Sequence, residues 1–204
     1  LGTVNEFIPE RLNFAIGRLN LLPQESTGDY FMCGHIEIGA NTVIQHGVSI
    51  YGPVKIGSNC LIKPNTVIGA KGFSFGFDSE LTPHAIGHSG GVIIGDNVEI
   101  GSLCTVCQGT VKDTIIENYV KIDDHVHIAH NCIVKAKTII TAGVTFGGGA
   151  VVGECCWVGL NATVMNKVRL AAMTLVGAGA NVIRDSEYGD VLAGNPARVL
   201  RKRE

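Results

Sequence analysis

Isoleucine occupies every sixth position from Ile38 through Ile44, Ile50, Ile56, Ile62 and Ile68, and an apolar residue keeps the same step along most of the remaining chain. The step resumes at Ile94, Ile100 and Val106, slips by four residues, and then runs from Ile116 through Ile122, Ile128, Val134, Ile140, Phe146, Val152, Val158, Val164, Leu170 and Val176 to Val182. Neither an α-helix, with a period near 3.6, nor a flat strand, with a period of 2, holds such a repeat on one face. The pattern predicts an all-β parallel β-helix, in which each hexapeptide is a short strand plus a corner and three of them close a triangular coil.

The residue two positions before each aliphatic is small or β-branched, as at Thr42, Val48, Cys60, Thr66, Val126, Cys132, Val144, Ala150, Cys156 and Ala162. The aliphatic is expected to fill the prism and the small residue to pack beside it near the corner. Glycine often follows the aliphatic, as at Gly39, Gly57, Gly101, Gly147, Gly153 and Gly159, where a tight corner is expected to use its free φ. About twenty-one hexapeptides make about seven coils, roughly 30–35 Å tall at about 4.8 Å per stacked strand. Residues eighteen apart then lie one above the other on the same face.

Three segments leave the repeat. Residues 1–33 lack its phase and are expected to cap one end, with a short helix between Asn5 and Leu22. Residues 34–183 form the prism, interrupted by an insertion at 70–91 that carries Phe73, Phe75, Phe77, His84 and His88 among five glycines. Insertions of this kind emerge as loops on one face, often the binding face. Residues 184–204 hold Ala193-Gly194-Asn195-Pro196-Ala197-Arg198 and a basic cluster, and are expected to close the other end over an open strand edge.

Composition narrows the function classes. A net charge of −2 argues against a nucleic acid or a membrane surface recognised by bulk electrostatics. No stretch is long and apolar enough to span a membrane, and Phe14 to Leu22 is too interrupted for a signal-peptide core, so a cytoplasmic protein is expected. Cys60, Cys104, Cys132 and Cys156 all take the small interior position, and no paired motif with zinc-like spacing is present, so no metal site is assigned to them.

Histidine carries the strongest chemical signal. His84 and His88 lie in the insertion, and His125, His127 and His130 lie in one run, Lys121-Ile-Asp-Asp-His-Val-His-Ile-Ala-His-Asn-Cys132, none of them at an interior position. An amine nucleophile must lose a proton to attack a thioester, and a base titrating near neutrality suits that step. One coil above His130 the lattice puts Gly148, whose N–H is placed to meet an oxyanion, and then Asn166 beside Lys167, and then Arg184. A pantetheine arm along this column would bring its phosphates toward Arg198, Arg201 and Lys202.

The stretches Gly72-Phe73, Gly91-Val-Ile-Ile-Gly-Asp-Asn-Val-Glu-Ile-Gly101, Val120-Lys-Ile-Asp-Asp124 and Ile128-Ala-His-Asn131 resemble the UDP-3-O-acylglucosamine N-acyltransferases of lipid A synthesis. The resemblance implies a left-handed parallel β-helix with short N- and C-terminal caps, although parallel crossovers are generally right-handed. It makes His130 the general base and Gly148 the oxyanion donor, and it implies a homotrimer with each site in a cleft between two prisms. The same region is similar to bacterial nucleotide-sugar N-acetyltransferases, whose base sits in a triplet like His130-Asn131-Cys132, which brings Asn131 into the catalytic set. Phe73, Asp123 and His127 are the expected acceptor contacts, and Gly148, Asn166, Lys167, Arg184, Arg198 and Lys202 the expected donor contacts.

The pattern also departs from the lipid A enzymes. They carry histidine where this chain has Lys167 and glycine where it has Asn166, and they add a uridine-binding domain and a helical extension that engages acyl carrier protein. The Ala193–Arg198 ending is typical of hexapeptide acetyltransferases. The leading expectation is therefore N-acetyl transfer from acetyl-CoA to the amine of a nucleotide-linked amino sugar. The alternatives are a lipid A type enzyme using acyl carrier protein, a γ-class carbonic anhydrase-like enzyme with zinc on His125, His130 and His88, and a non-catalytic prism used for assembly.

Overall fold

The computed structural model describes residues 29–203, so the helix expected between Asn5 and Leu22 lies outside the described residues. Three parallel sheets form the faces of a prism. The first face stacks eight strands in chain order, from Phe31–Cys33 through Val67–Lys71, Thr105–Gln108, His127–Ile128 and Thr145–Phe146 to Asn181–Val182. The second stacks seven, from Ile36–Ile38 to Arg169–Leu170, and the third begins at Val43–Ile44 and ends in Asp190–Ala193 and Arg198–Lys202. Eight rungs exceed the expected seven coils because Phe31–Cys33, inside the segment read as a cap, already pairs in register with Ser49–Tyr51.

The strand register reproduces the lattice. Ile128 pairs with Phe146, Phe146 with Val164 and Val164 with Val182, each eighteen residues on. At the two breaks the step lengthens: Val67 pairs with Thr105 across the insertion, and Thr105 with His127 across the four-residue slip. Both extra segments leave the stack where the first face turns into the second. That first edge is also where His130 lies, between His127–Ile128 and Ile133–Val134.

The repeating aliphatics from Ile44 to Val182 are buried in one continuous core. Phe146 is its largest fully enclosed side chain. Phe146→Ala should lower the free energy of unfolding by about 3–5 kcal/mol through lost burial and a residual cavity. Urea unfolding of the variant and the parent checks this.

The small interior position has a second duty. Thr42, Thr66 and Thr138 donate their hydroxyls to corner carbonyls at Gly57, Gly101 and Gly153, at 2.7, 2.6 and 2.8 Å. The thiols of Cys60, Cys104, Cys132 and Cys156 do the same toward Gly95, Asp123, Gly147 and Ala171. Burial pushes the Cys132 thiol up to about 12 and those of Cys104 and Cys156 to about 11, so they remain protonated donors. All seven cysteines are free.

Corner geometry corrects the reading of glycine. The left-handed residue lies three positions after the aliphatic, at Asn41, Asn59, Asn65, Asn97, Asn131 and Asn161 and at Gly47, Gly143, Gly149 and Gly179. Asparagine tolerates this conformation better than most side chains. Apart from Gly69, whose φ is 82°, the glycine directly after the aliphatic serves close stacking instead: a Cβ on Gly57 would lie 2.6 Å from backbone atoms of Gly95, and one on Gly147 would lie 2.5 Å from Asn166 N.

At the far end, Asp190–Ala193 adds a parallel rung to Leu175–Val176, and Arg198–Lys202 folds back antiparallel on it as an exposed strand. Between them, Gly194 O accepts from Asn181 N, and Ala197 N donates to Asn181 O. Among the described residues no helix is long and apolar enough to cross a membrane.

Candidate active site

Asn131 is the best-anchored side chain at the first edge. As the left-handed corner residue, with φ of 62°, it points its amide at the neighbouring coil, where the slip has lengthened the corner to residues 109–113. Its Nδ2 donates to Lys112 O at 2.6 Å, which leaves Oδ1 as the acceptor for Thr110 Oγ1 at 2.8 Å and Thr110 N at 3.3 Å. The same oxygen lies 2.8 Å from His130 Nδ1. Because a carbonyl oxygen only accepts, Nδ1 carries a proton, and in the neutral imidazole Nε2 of His130 presents a lone pair.

Gly148 lies against that lone pair. A Cβ built on it would stand 2.6 Å from both Nε2 and Cε1 of His130, so only glycine leaves room for the ring. Each glycine of the triplet thus has its own reason: Gly147 for coil stacking, Gly148 for the imidazole, and Gly149 for its φ of 72°. The Gly148 N–H has no acceptor among the hydrogen bonds of the described residues, whereas its carbonyl is held by Lys167 N at 3.0 Å. Some corner N–H groups are capped by side chains, as Ser102 N is by Asp124 and Ala142 N by Asp123, while those of Glu154, Leu160 and Asn166 are, like that of Gly148, without an acceptor among the described residues.

The insertion closes the site from the other side. Gly72, next to Phe73, packs against Cβ and Cδ2 of His130 and against His88 Nε2. Phe73 is almost fully exposed and packs on Phe75, with centroids 4.7 Å apart. The returning end is pinned to the lengthened corner, with Ser89 N donating to Thr110 O, Gln108 Nε2 to Gly90 O and Gly91 N to Asp113 Oδ1, each at 2.6 Å. The slip therefore anchors both Asn131 and the strand end that follows His88.

Several expected contacts lie elsewhere. Asp123 sits where the third face turns into the first, away from the edge that holds His130, and its oxygens accept from Asp124 N and Ala142 N, which caps that corner. Lys202 is also committed: it pairs with the Asp190 carboxylate at 2.8 Å and with Glu187 at 3.2 Å. Burial would raise Asp190, but the Lys202 hydrogen bond and Glu187 N together hold it below the usual carboxylate range. His127 projects from the first face, hydrogen-bonded to Thr105 Oγ1, and burial lowers its pKa. It adjoins the site without entering the Asn131–His130 network.

His125 is a left-handed corner residue at the opposite edge of the first face from His130. His84 is tied to Asp78 at 2.8 Å within the insertion hairpin. Among the described residues no three His, Cys, Asp or Glu side chains are grouped to hold a metal ion. Asn166 and Lys167 stay exposed directly above Gly148. Arg184 and Arg198 come together at the top, lining a cavity of about 160 Å³ with Val182 and Leu192.

Sequence reasoning missed Thr110, Lys112, Gly72 and the place of His88. The slip was the available signal, since four extra residues one coil below a histidine must alter what that histidine meets.

Residues 35–70 match the model for the bacterial transferase hexapeptide (six repeats). The chain is 38% identical to UDP-3-O-acylglucosamine N-acyltransferase of Hahella chejuensis over 79% of its own length and 47% of that protein. It thus spans about half the length of the curated relatives it matches. Among solved structures, a UDP-N-acetylglucosamine acyltransferase from Campylobacter jejuni superposes with a TM-score of 0.75 at 21% identity, covering 89% of this chain and 71% of that one. A UDP-N-acetylglucosamine O-acyltransferase from Moraxella catarrhalis gives 0.76 at 24%, covering 90% and 74%. The repeat, the three-faced stack and these likenesses make the chain a left-handed hexapeptide-repeat β-helix, similar to the UDP-3-O-acylglucosamine N-acyltransferases across about four fifths of its own length.

Proposed function

We propose that the first edge transfers an acyl group from a thioester to the amine of a nucleotide-linked amino sugar. The observation that carries this reading is the Nε2 lone pair of His130 held over Gly148, whose N–H is unpaired among the described residues. The amine nitrogen attacks the thioester carbon, and the carbonyl oxygen, now an oxyanion, accepts the Gly148 N–H. Removing such a donor typically costs about 3–4 kcal/mol. His130 takes a proton from the nitrogen as the C–N bond forms, and returns it to the sulfur as the C–S bond breaks. Amide and thiol leave, and the base is regenerated.

The relatives' name supports a UDP-linked acylglucosamine as acceptor. Phe73, next to the Gly72 that packs on His130, and His127, three residues before the base, are the acceptor contacts in this reading. The donor arm runs along Gly148, Asn166 and Lys167 toward Arg184. The relatives' name supports the lipid A type over sugar N-acetyl transfer, and the resemblance to that family implies an acyl carrier protein thioester as donor. Acetyl-CoA is the second reading, favoured by the Arg184 and Arg198 pair, which suits a pyrophosphate. Either donor implies a cytoplasmic reaction, and a trimer would complete each cleft, with a neighbouring prism facing the edge.

Thiol release with each donor, against UDP- and dTDP-linked amino sugars, decides between them. Transfer from the acyl carrier thioester to a UDP-amino sugar, with little from acetyl-CoA, is the expected result. Turnover with acetyl-CoA alone would install the second reading.

A further inference from the structure

His88 has no part in the transfer described above, yet it stands in the same site. Its ring meets that of His130 edge to face, with centroids 5.9 Å apart and an interplanar angle of 84°. Gly72 fits against both rings: a Cβ built there would lie 2.9 Å from His130 Cβ and 3.2 Å from His88 Nε2. Nδ1 of His88 lies 3.0 Å from Ile86 O, an atom that only accepts, so Nδ1 carries a proton, and in the neutral ring Nε2 carries the lone pair. That Nε2 is buried and has no partner among the described residues. An unpaired buried acceptor is a standing penalty to the fold, and native structures keep few of them without a reason.

We propose that His88 is a second substrate-contacting residue, whose Nε2 accepts one N–H of the acceptor amine while Nε2 of His130 takes the proton lost in transfer. The inference rests on the reading of this edge as an acyl-transfer site and adds its selectivity. A primary amine offers two N–H bonds. One survives in the amide product and pairs with His88; the other passes to His130. Two acceptors on one nitrogen also fix the direction of its lone pair, which must face the thioester carbon. A hydroxyl acceptor has a single O–H, which His130 needs, so His88 would stay buried and unpaired. A site built around a hydrogen bond rejects the analogue that cannot make it. His88 therefore favours nitrogen over oxygen as the acylated atom. Gly72 packs against both imidazoles, and a side chain there would displace them.

The test compares acyl transfer to UDP-3-O-acylglucosamine and to UDP-3-O-acylglucose, which has a hydroxyl in place of the amine, in the parent, His88→Phe and His88→Gln proteins. Phenylalanine keeps the ring packed on His130 but removes the acceptor, whereas the glutamine amide oxygen restores one near the same place. His88→Phe should lower kcat/KM for the amine by roughly tenfold to hundredfold and leave the hydroxyl rate within about twofold, with partial recovery in His88→Gln. An unchanged preference for amine in His88→Phe would overturn the inference while leaving the acyl-transfer reading intact. A parent protein that acylates neither sugar strikes that reading instead. The inference is then decided by the 15N resonance of His88 Nε2: a shift with UDP-3-O-acylglucosamine and none with UDP-3-O-acylglucose upholds it, and any other pattern overturns it.

Discussion

His130→Ala should lower turnover by about 10²–10⁴-fold, the range by which a positioned general base accelerates proton transfer. The loss should fall on kcat, because the ring does its work in the transition state. Stability should hardly change: His130 is half-buried at a corner, outside the buried core. Asn131 keeps its bonds to Lys112 and Thr110 without it. Steady-state kinetics beside a thermal melt checks both halves. A variant with near-normal turnover would remove His130 from the mechanism.

Gly148→Ala should be nearly as damaging, for a different reason. The added methyl would stand 2.6 Å from Nε2 and Cε1 of His130, and the ring must move to admit it. Displacing a reacting group by about 1 Å typically costs about 10²-fold in rate. The neighbouring glycines provide controls. Gly147→Ala drives a methyl into the backbone of the next coil, 2.5 Å from Asn166 N, and should show itself as lost stability. Gly149→Ala strains a left-handed residue, with φ of 72°, and should cost a smaller amount of stability. Three adjacent substitutions thus separate by phenotype. Equal effects on melting and rate at all three would contradict the assignment of Gly148.

These contrasts show which parts of the molecule are legible in its sequence. The six-residue step fixes the face of every aliphatic, and eighteen residues make a coil, so the stacking of His130, Gly148 and Asn166 follows from counting. Corners are different. A corner side chain is oriented by the coil beside it, and at a break in the repeat that neighbour is no longer the residue eighteen positions away. Asn131 therefore meets Thr110 and Lys112. His88 reaches His130 only because the insertion folds back over the same edge.

Misplaced contacts have the same origin. Asp123 looks like a substrate ligand beside a histidine run, yet it belongs to the corner before the strand and caps the coil above. Lys202 looks free in a basic tail, but the antiparallel return of its strand brings it to Asp190. Local sequence shows that a charge is present. The topology decides whether another group has already claimed it.

The central claim is that the imidazole of His130, set by Asn131 and seated on Gly148, moves an acyl group onto a sugar amine. Mass spectrometry of the product formed from an acyl carrier thioester and a UDP-linked 3-O-acylglucosamine, with parent and His130→Ala protein side by side, tests it most directly. The account predicts one new amide on the sugar nitrogen with the parent and almost none with the variant. Thiol release without that amide, or the same amide at the same rate from His130→Ala, would contradict it.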